Sequence, residues 1–313
     1  MGEGARNAVL DADAAAIHAQ GLTKYYGKSR GIVDVTLVVR RAETFGFLGP
    51  NGAGKTTTIR TLLGMVAPTR GSARILGLDV RRDGVAVRAH TGYVPGECGF
   101  WGHLTGEQFL DFISGLRRRR PPTARRAELA SRLDAELGRP LRHLSRGNKQ
   151  KLALIQALEH EPELLILDEP TSSLDPLVQH AVYDILAEER AHGRTVFMSS
   201  HNMAEVERTC DRVGIIREGR LVAVEEVAEL KRRHVRQMDV TFAVDVPAEA
   251  LRVEGVRSAQ GGGRHYLLTV AGNINRVLNC VAAFPIEAMT FQEASLEDIF
   301  LEIYGGGNGG RGQ

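Results

Sequence analysis

Residues Thr44–Thr58 read TFGFLGPNGAGKTTT. A short apolar run passes into a glycine-rich turn, then into a lysine and a row of hydroxyls. Gly49, Gly52 and Gly54 lack a Cβ, so this loop can wrap tightly and turn several N–H groups inward. Those amides, with the positive end of a helix starting near Lys55, make a cradle for an anion. Lys55 can reach β- and γ-phosphates, and the Thr56 hydroxyl can bind Mg²⁺. The spacing G-x-x-x-x-G-K-[ST] runs from Gly49 to Thr56 in a strand-to-helix context. A packed core has no use for a cation set against so flexible a turn, whereas a triphosphate does.

A second stretch, ELLILDEP at 163–170, is an almost uninterrupted aliphatic strand ending in two acids. Such a strand suits the buried middle of a parallel sheet. Asp168 at its end can hold Mg²⁺ near the phosphate loop, directly or through water. Glu169 can face the γ-phosphate and polarise an attacking water. A third stretch, LSRGNKQKLALIQAL at 144–158, puts Ser145 and Gly147 just before an amphipathic helix. A hydroxyl and backbone amides at a helix N-terminus form a second anion site. One nucleotide does not need two such sites from one chain, so the second is expected to serve a nucleotide bound to another copy.

The chain of 313 residues is long enough for two domains. Its 43% hydrophobic and 5% aromatic content describes a globular protein with an aliphatic core. The 40 Lys and Arg nearly cancel 38 Asp and Glu, so no global field points to nucleic acid. Cys98, Cys210 and Cys280 lie far apart and make no metal or disulfide pattern. No apolar run approaches the roughly 18–20 residues that cross a bilayer, so a membrane role must come through a partner. The N-terminus carries acids and does not read as a secretory signal.

Strand patterns over AIHAQGLTKYYG and GIVDVTLVVRRAETFGFLG predict a small antiparallel portion leading into the phosphate loop. A helix is expected after Thr56 through about Met65, and a helix-rich stretch from Gly106, capped by Thr105, to about Leu141. The run RRRRPPTARR within it reads as a solvated helix end and loop. DPLVQHAVYDILAEERAHG reads as an amphipathic helix and TVFMSSH as another buried strand. Strands alternating with helices around a phosphate loop mean an α/β fold with a parallel sheet. The expected division is a tail at 1–15 and a nucleotide-binding domain at 16–222, its helical part at about 100–150. A smaller α+β unit at 223–304 and a Gly-rich tail at 305–313 follow. MDVTFAVDV, VEGVRSAQ, HYLLTV and PIEAMTFQE are the strands of that second unit, with helices at VEEVAELKRRH and INRVLNCVAAF. A short helix capped by Ser295 is expected to close it.

The order of these motifs, with LSRGN, LLILDEP and SSH following the phosphate loop, resembles the ATP-binding subunits of ABC transporters. The resemblance covers Ile17 to Arg220, and the LSRGN signature separates this family from other P-loop proteins. It implies a P-loop ABC ATPase domain that binds ATP and Mg²⁺ and hydrolyses ATP in a dimer. Tyr26 matches the aromatic residue that stacks on adenine, with Tyr25 the alternative. Gly49, Asn51, Gly52, Ala53, Gly54, Lys55, Thr56 and Thr57 match the phosphate-binding residues. Ser145, Gly147 and Asn148 would contact the γ-phosphate of the opposing protomer. Thr56 and Asp168 would serve Mg²⁺, Glu169 the water and His201 the γ-phosphate, while Asp175 would lie in the loop between the two sites. The implied partners are a multi-span membrane permease on a separate chain and a second copy of this chain or a related ATPase.

Two motifs depart from the family's pattern. A Gln commonly follows GY-x-P, but GYVPGECGFWGHLTG has Gly96 there, with Glu97 next. Glycine has no side chain to ligate with, so Glu97, a water or nothing takes that place. The signature carries Arg146 and Asn148 where Gly and Gln are commonest. The β-rich extension ending in ASLEDIFLEIYG is similar to subunits of bacterial exporters of drugs, antibiotics, lipids or polysaccharides, which implies the cytoplasmic face of the membrane. Phe100 and Trp101 are large apolar groups in a polar loop, suited either to a partner helix or to the chain's own core. Two alternatives stand beside this. An ABC-type ATPase acting on nucleic acid or ribosomes would commonly carry two cassettes or a long coiled coil. A P-loop kinase would leave LSRGN unexplained.

Overall fold

The computed structural model describes residues 15–97, 99, 102–117, 123–233, 236–270 and 274–293. The chain divides into two compact units, Met1–Glu225 and Glu226–Gln313. The first opens with three strands, β1 (Ala15–Tyr26), β2 (Ser29–Arg40) and β3 (Thr44–Leu48), and then α1 (Lys55–Leu62). Next come β4 (Arg70–Ile75), β5 (Leu78–Asp79), α2 (Gly84–Ala89) and β6 (Thr91–Val94). Three helices follow, α3 (Gly106–Gly115), α4 (Thr123–Arg132) and α5 (Arg146–Leu158). The rest is β7 (Leu164–Asp168), α6 (Pro176–Ala191), β8 (Thr195–Ser200), α7 (Met203–Thr209), β9 (Arg212–Arg217) and β10 (Arg220–Glu226).

Two sheets form from these strands. One is antiparallel in the order β2-β1-β4-β5, and the other has the order β10-β9-β3-β8-β7-β6. In the second sheet β3 pairs in parallel with both β8 and β9, and β7 lies parallel between β6 and β8. Every residue of β3, β7 and β8 is buried, which is why each is built around a short apolar run. Phe197 stacks on Phe45 with ring centres 5.8 Å apart and leans on Phe47 at 5.4 Å, joining the two central strands through their side chains. The core continues into the antiparallel sheet through Ile17, Leu22 and Val39. Because β3, β7 and β8 run the same way, the phosphate loop, the acidic pair and His201 all emerge at one edge of one sheet.

The helices depart from the sequence expectation in two places. The helix after the loop ends at Leu62 rather than near Met65, because Gly64 takes a left-handed φ of +65° and turns the chain. The arginines of RRRRPPTARR that are described are not a solvated face. Arg126 is buried and donates to Glu159 at 2.8 Å and Asp111 at 2.6 Å, while Arg125 and Arg194 both pair with the wholly buried Glu189. A buried carboxylate between two guanidinium groups ties α4 to α6; leaving it unpaired there would cost several kcal/mol. At the start of α3, Thr105 Oγ1 accepts the Gln108 N–H and the Gln108 side chain accepts the Thr105 N–H, a reciprocal cap.

The second unit contains α8 (Val227–Arg233), β11 (Arg236–Phe242), β12 (Val256–Gly262), β13 (His265–Val270), α9 (Ile274–Val281) and β14 (Ile286–Glu293). Its antiparallel sheet has the order β12-β13-β11-β14 over a core of Met238, Val240, Phe242, Tyr266, Leu268 and Val277. The helix expected after Ser295 lies outside the described residues, as do Cys98, Phe100 and Trp101.

Candidate nucleotide site

The loop between β3 and α1 turns on Gly54, which caps the helix at φ +106°, a region closed to residues with a Cβ. A Cβ there would also stand 2.8 Å from Ile32 Cγ2. Lys55 is 5% exposed, and its ammonium donates to the carbonyls of Gly49 at 2.6 Å and Pro50 at 3.3 Å. A lysine buried this deeply must find acceptors, and the loop supplies two from its own backbone. The next hydroxyl, Thr56 Oγ1, donates to Asp168 Oδ2 at 2.8 Å. The other oxygen of Asp168 accepts from Ser199 Oγ at 2.5 Å, so a carboxylate 2% exposed is held on both sides by hydroxyls.

Glu169 follows in a strained backbone, φ +51°, in the left-handed region that non-glycine residues seldom occupy. Its N–H is held by Ser199, through the hydroxyl at 3.1 Å and the carbonyl at 3.2 Å. That turn carries the carboxylate sideways off the strand end. Oε1 lies 3.2 Å from Lys55 Nζ and Oε2 lies 3.2 Å from His201 Nδ1. His201 is half exposed at the end of β8, and Asn202 after it caps α7. A cleft of about 220 Å³ beside this group is lined by Tyr26, Arg30, Gly31, loop residues 50–52 and 54–57, and Glu169. Tyr26 presents a ring 47% exposed to it, with the Lys24 ammonium 5.3 Å from the ring centre. Tyr25 lines a different hollow, beside Thr69 and Arg70.

The signature residues stand apart from that cleft. Ser145 caps α5, its Oγ accepting the Asn148 N–H at 3.2 Å, and Asn148 Oδ1 accepts the Glu136 N–H at 3.4 Å. Gly147 packs so close to the next loop that a Cβ would lie 2.7 Å from the Ser173 carbonyl. Gln150, one turn on, donates to the Pro170 carbonyl at 3.0 Å. Asp175 caps α6 by accepting the Val178 N–H at 3.1 Å. None of Ser145, Gly147, Asn148 and Asp175 lines the cleft formed by the phosphate loop.

Thr56 and Asp168 fit a divalent cation in chemistry, a hydroxyl and a carboxylate already in contact at a strand end. Gly96 stands against the same carboxylate, since a Cβ there would come 3.3 Å from Asp168 Oδ2. Glu97 is exposed, and among the described residues no ion pair or hydrogen bond joins it to Thr56 or Asp168. Two contributors went unread in the sequence, Ser199 and Arg30. A serine inside a buried strand gives no local signal.

A family model described as "ABC transporter" matches residues 32–172. Among curated relatives, the bacitracin transport ATP-binding protein BcrA of Bacillus licheniformis is 34% identical over 304 residues, covering 93% of this chain and 98% of BcrA. The probable multidrug ABC transporter ATP-binding protein YbhF of Escherichia coli is 39% identical over 220 residues, covering 69% of this chain but 38% of YbhF's length. A solved structure titled as an ATP-binding subunit of an ABC transporter is 32% identical, with a TM-score of 0.62, over 69% of this chain and 92% of that one. The chain belongs to the ABC transporter family, as an ATP-binding subunit of the class that binds and hydrolyses ATP.

Proposed function

We propose that the chain hydrolyses ATP to drive a bacterial exporter whose membrane part is a separate multi-span chain, acting as a dimer at the cytoplasmic face. The observation that carries this is the continuous line Lys55–Glu169–His201 at the mouth of the phosphate loop, with the Thr56–Asp168 pair beside it. Lys55 and the loop amides bind the phosphates, and Tyr26 offers its ring to the adenine. Glu169 accepts the proton of the attacking water. His201, bound to the same carboxylate, orients it and faces the terminal phosphate. Thr56 and Asp168 would hold Mg²⁺, which when bound neutralises phosphate charge.

Ser145, Gly147 and Asn148 lie outside the cleft of their own chain, in keeping with service to a nucleotide on an opposing protomer. Among the described residues no helix is long and apolar enough to cross a membrane, in keeping with a separate permease. The residues from 226 onward would form an accessory unit. BcrA and YbhF are named for bacitracin and multidrug transport, which favours a drug or antibiotic as cargo here too. The test is steady-state hydrolysis by the purified chain, wild type against Glu169→Gln, with phosphate release to water as the readout. Transfer to another acceptor would exclude the ATPase.

A further inference from the structure

Glu205 is a carboxyl that this scheme leaves unused, and it is only 4% exposed. It stands three residues after Asn202, the cap of α7. A glutamate at that position commonly turns back to accept the cap residue's own N–H. Here that N–H donates to Ser200 Oγ at 2.9 Å instead. The Glu205 side chain turns inward, where Oε1 accepts from Thr171 Oγ1 at 2.6 Å and Oε2 bonds Ser200 Oγ at 2.6 Å. Burial pushes its pKa above the usual carboxylate range, against the two hydroxyls and His201, which pull it down; Glu169 adds to the rise. Burying a carboxyl is unfavourable unless it is bonded, and these bonds go to two other segments rather than to its own helix.

Both segments belong to the candidate site. Thr171 lies two residues beyond Glu169, and Ser200 immediately precedes His201. The Ser200 carbonyl also accepts the Gly49 N–H at 3.3 Å, at the start of the phosphate loop. One carboxyl therefore fastens the turn bearing Glu169 to the strand end bearing His201. We infer that Glu205 is a positioning residue for ATP hydrolysis, holding Glu169 and His201 in register through Thr171 and Ser200 without touching the nucleotide. This rests on the roles proposed for Glu169 and His201.

Hydrogen-bond chemistry supplies the test. Ser200 Oγ has one proton and, besides Glu205, the Asn202 carbonyl at 3.2 Å to receive it. Glutamine at 205 would keep both bridges: Oε1 accepts from Thr171, Nε2 donates to Ser200 Oγ, and the serine proton goes to Asn202. Alanine keeps neither. In the full chain, Glu205→Ala should lower kcat about ten- to a hundredfold, the scale of losses from small misplacement of reacting groups. Its ATP Kd by calorimetry should stay within about twofold, the pattern of an interaction that matters only in the transition state. Glu205→Gln should recover most of the rate. Thr171→Val should lower kcat and add little to Glu205→Ala, which has already lost the Thr171 bridge.

Wild-type turnover in Glu205→Ala would overturn the inference, as would a glutamine variant as slow as the alanine one. A fall in rate matched by an equal fall in ATP-binding-competent protein would overturn it too, by showing a role in folding alone. Should Glu205→Ala fail to fold, Thr171→Val decides, and an undiminished kcat there refutes the assignment. Glu169→Gln run alongside separates the two levels, because full activity in that variant removes the proposed site roles whatever Glu205 does.

Discussion

Lys55 Nζ lies 3.2 Å from Glu169 Oε1, so the cation of the phosphate loop and the acid that follows β7 are one ion pair. The other oxygen of that carboxylate reaches His201 at 3.2 Å. Three strand ends thus hand one residue each to a single line of side chains. Substituting any member changes the setting of the other two, and the consequences differ by position.

Glu169→Gln keeps the size of the side chain but removes its capacity to take a proton. kcat should fall by about 10²–10⁴, the range for losing a general base. Nucleotide binding should survive, so dimers should accumulate with ATP on size-exclusion chromatography. A variant that stays monomeric with ATP and turns over normally contradicts the assigned role.

Lys55→Ala acts earlier, on binding itself. A charge-assisted hydrogen bond contributes about 1.5–3 kcal/mol, so ATP affinity should drop by roughly one to two powers of ten. Calorimetric titration measures this directly, and an unchanged Kd would remove Lys55 from phosphate binding.

Gly96→Ala probes the position where the family commonly has Gln. The added Cβ would press to 3.3 Å from Asp168 Oδ2, tight enough to displace the carboxylate slightly from Thr56. The Mg²⁺ concentration for half-maximal turnover should rise while thermal stability holds. An unaltered Mg²⁺ profile would show that Asp168 does not face the ion.

His160 gives a pH prediction for stability. Burial, and after it the nearby Arg117 guanidinium, pushes its imidazole from 6.5 down to about 4. Above pH 6.5 the ring is neutral in both folded and unfolded chains and contributes no pH dependence. As pH falls from 6.5 toward 4, only the unfolded chain takes up the proton, so stability drops, by on the order of 3 kcal/mol at the low end. Denaturant melts at pH 7 and pH 5 should show about 2 kcal/mol of this loss, and His160→Gln should flatten it.

Parts of this molecule are legible in its residues alone. β3, β7 and β8 are wholly buried parallel strands, and such strands announce themselves as continuous apolar runs. The phosphate loop is contiguous, so its spacing is visible in one line, and the reciprocal cap at Thr105 is likewise local. Non-local bonds are hidden. Ser199 matters because β8 lies beside β7, and Glu205 because α7 folds it toward Thr171; neither neighbour is near in sequence. Arg125 and Arg126 read as solvated because a run of cations usually is, and only packing against Glu189 and Glu159 shows otherwise. The helix after Lys55 is overdrawn because Gly64 gives no sign, by type alone, of taking a positive φ.

Gln150 donates to the Pro170 carbonyl and Gly147 packs close to the Ser173 carbonyl, so the tip of α5 rests directly on the segment that follows Glu169. Push that tip, and the segment behind Glu169 must yield with it. Two such chains facing each other would be geared rather than merely adjacent: what one feels through its serine cap would pass, through one side-chain amide and close backbone packing, to its own acidic centre.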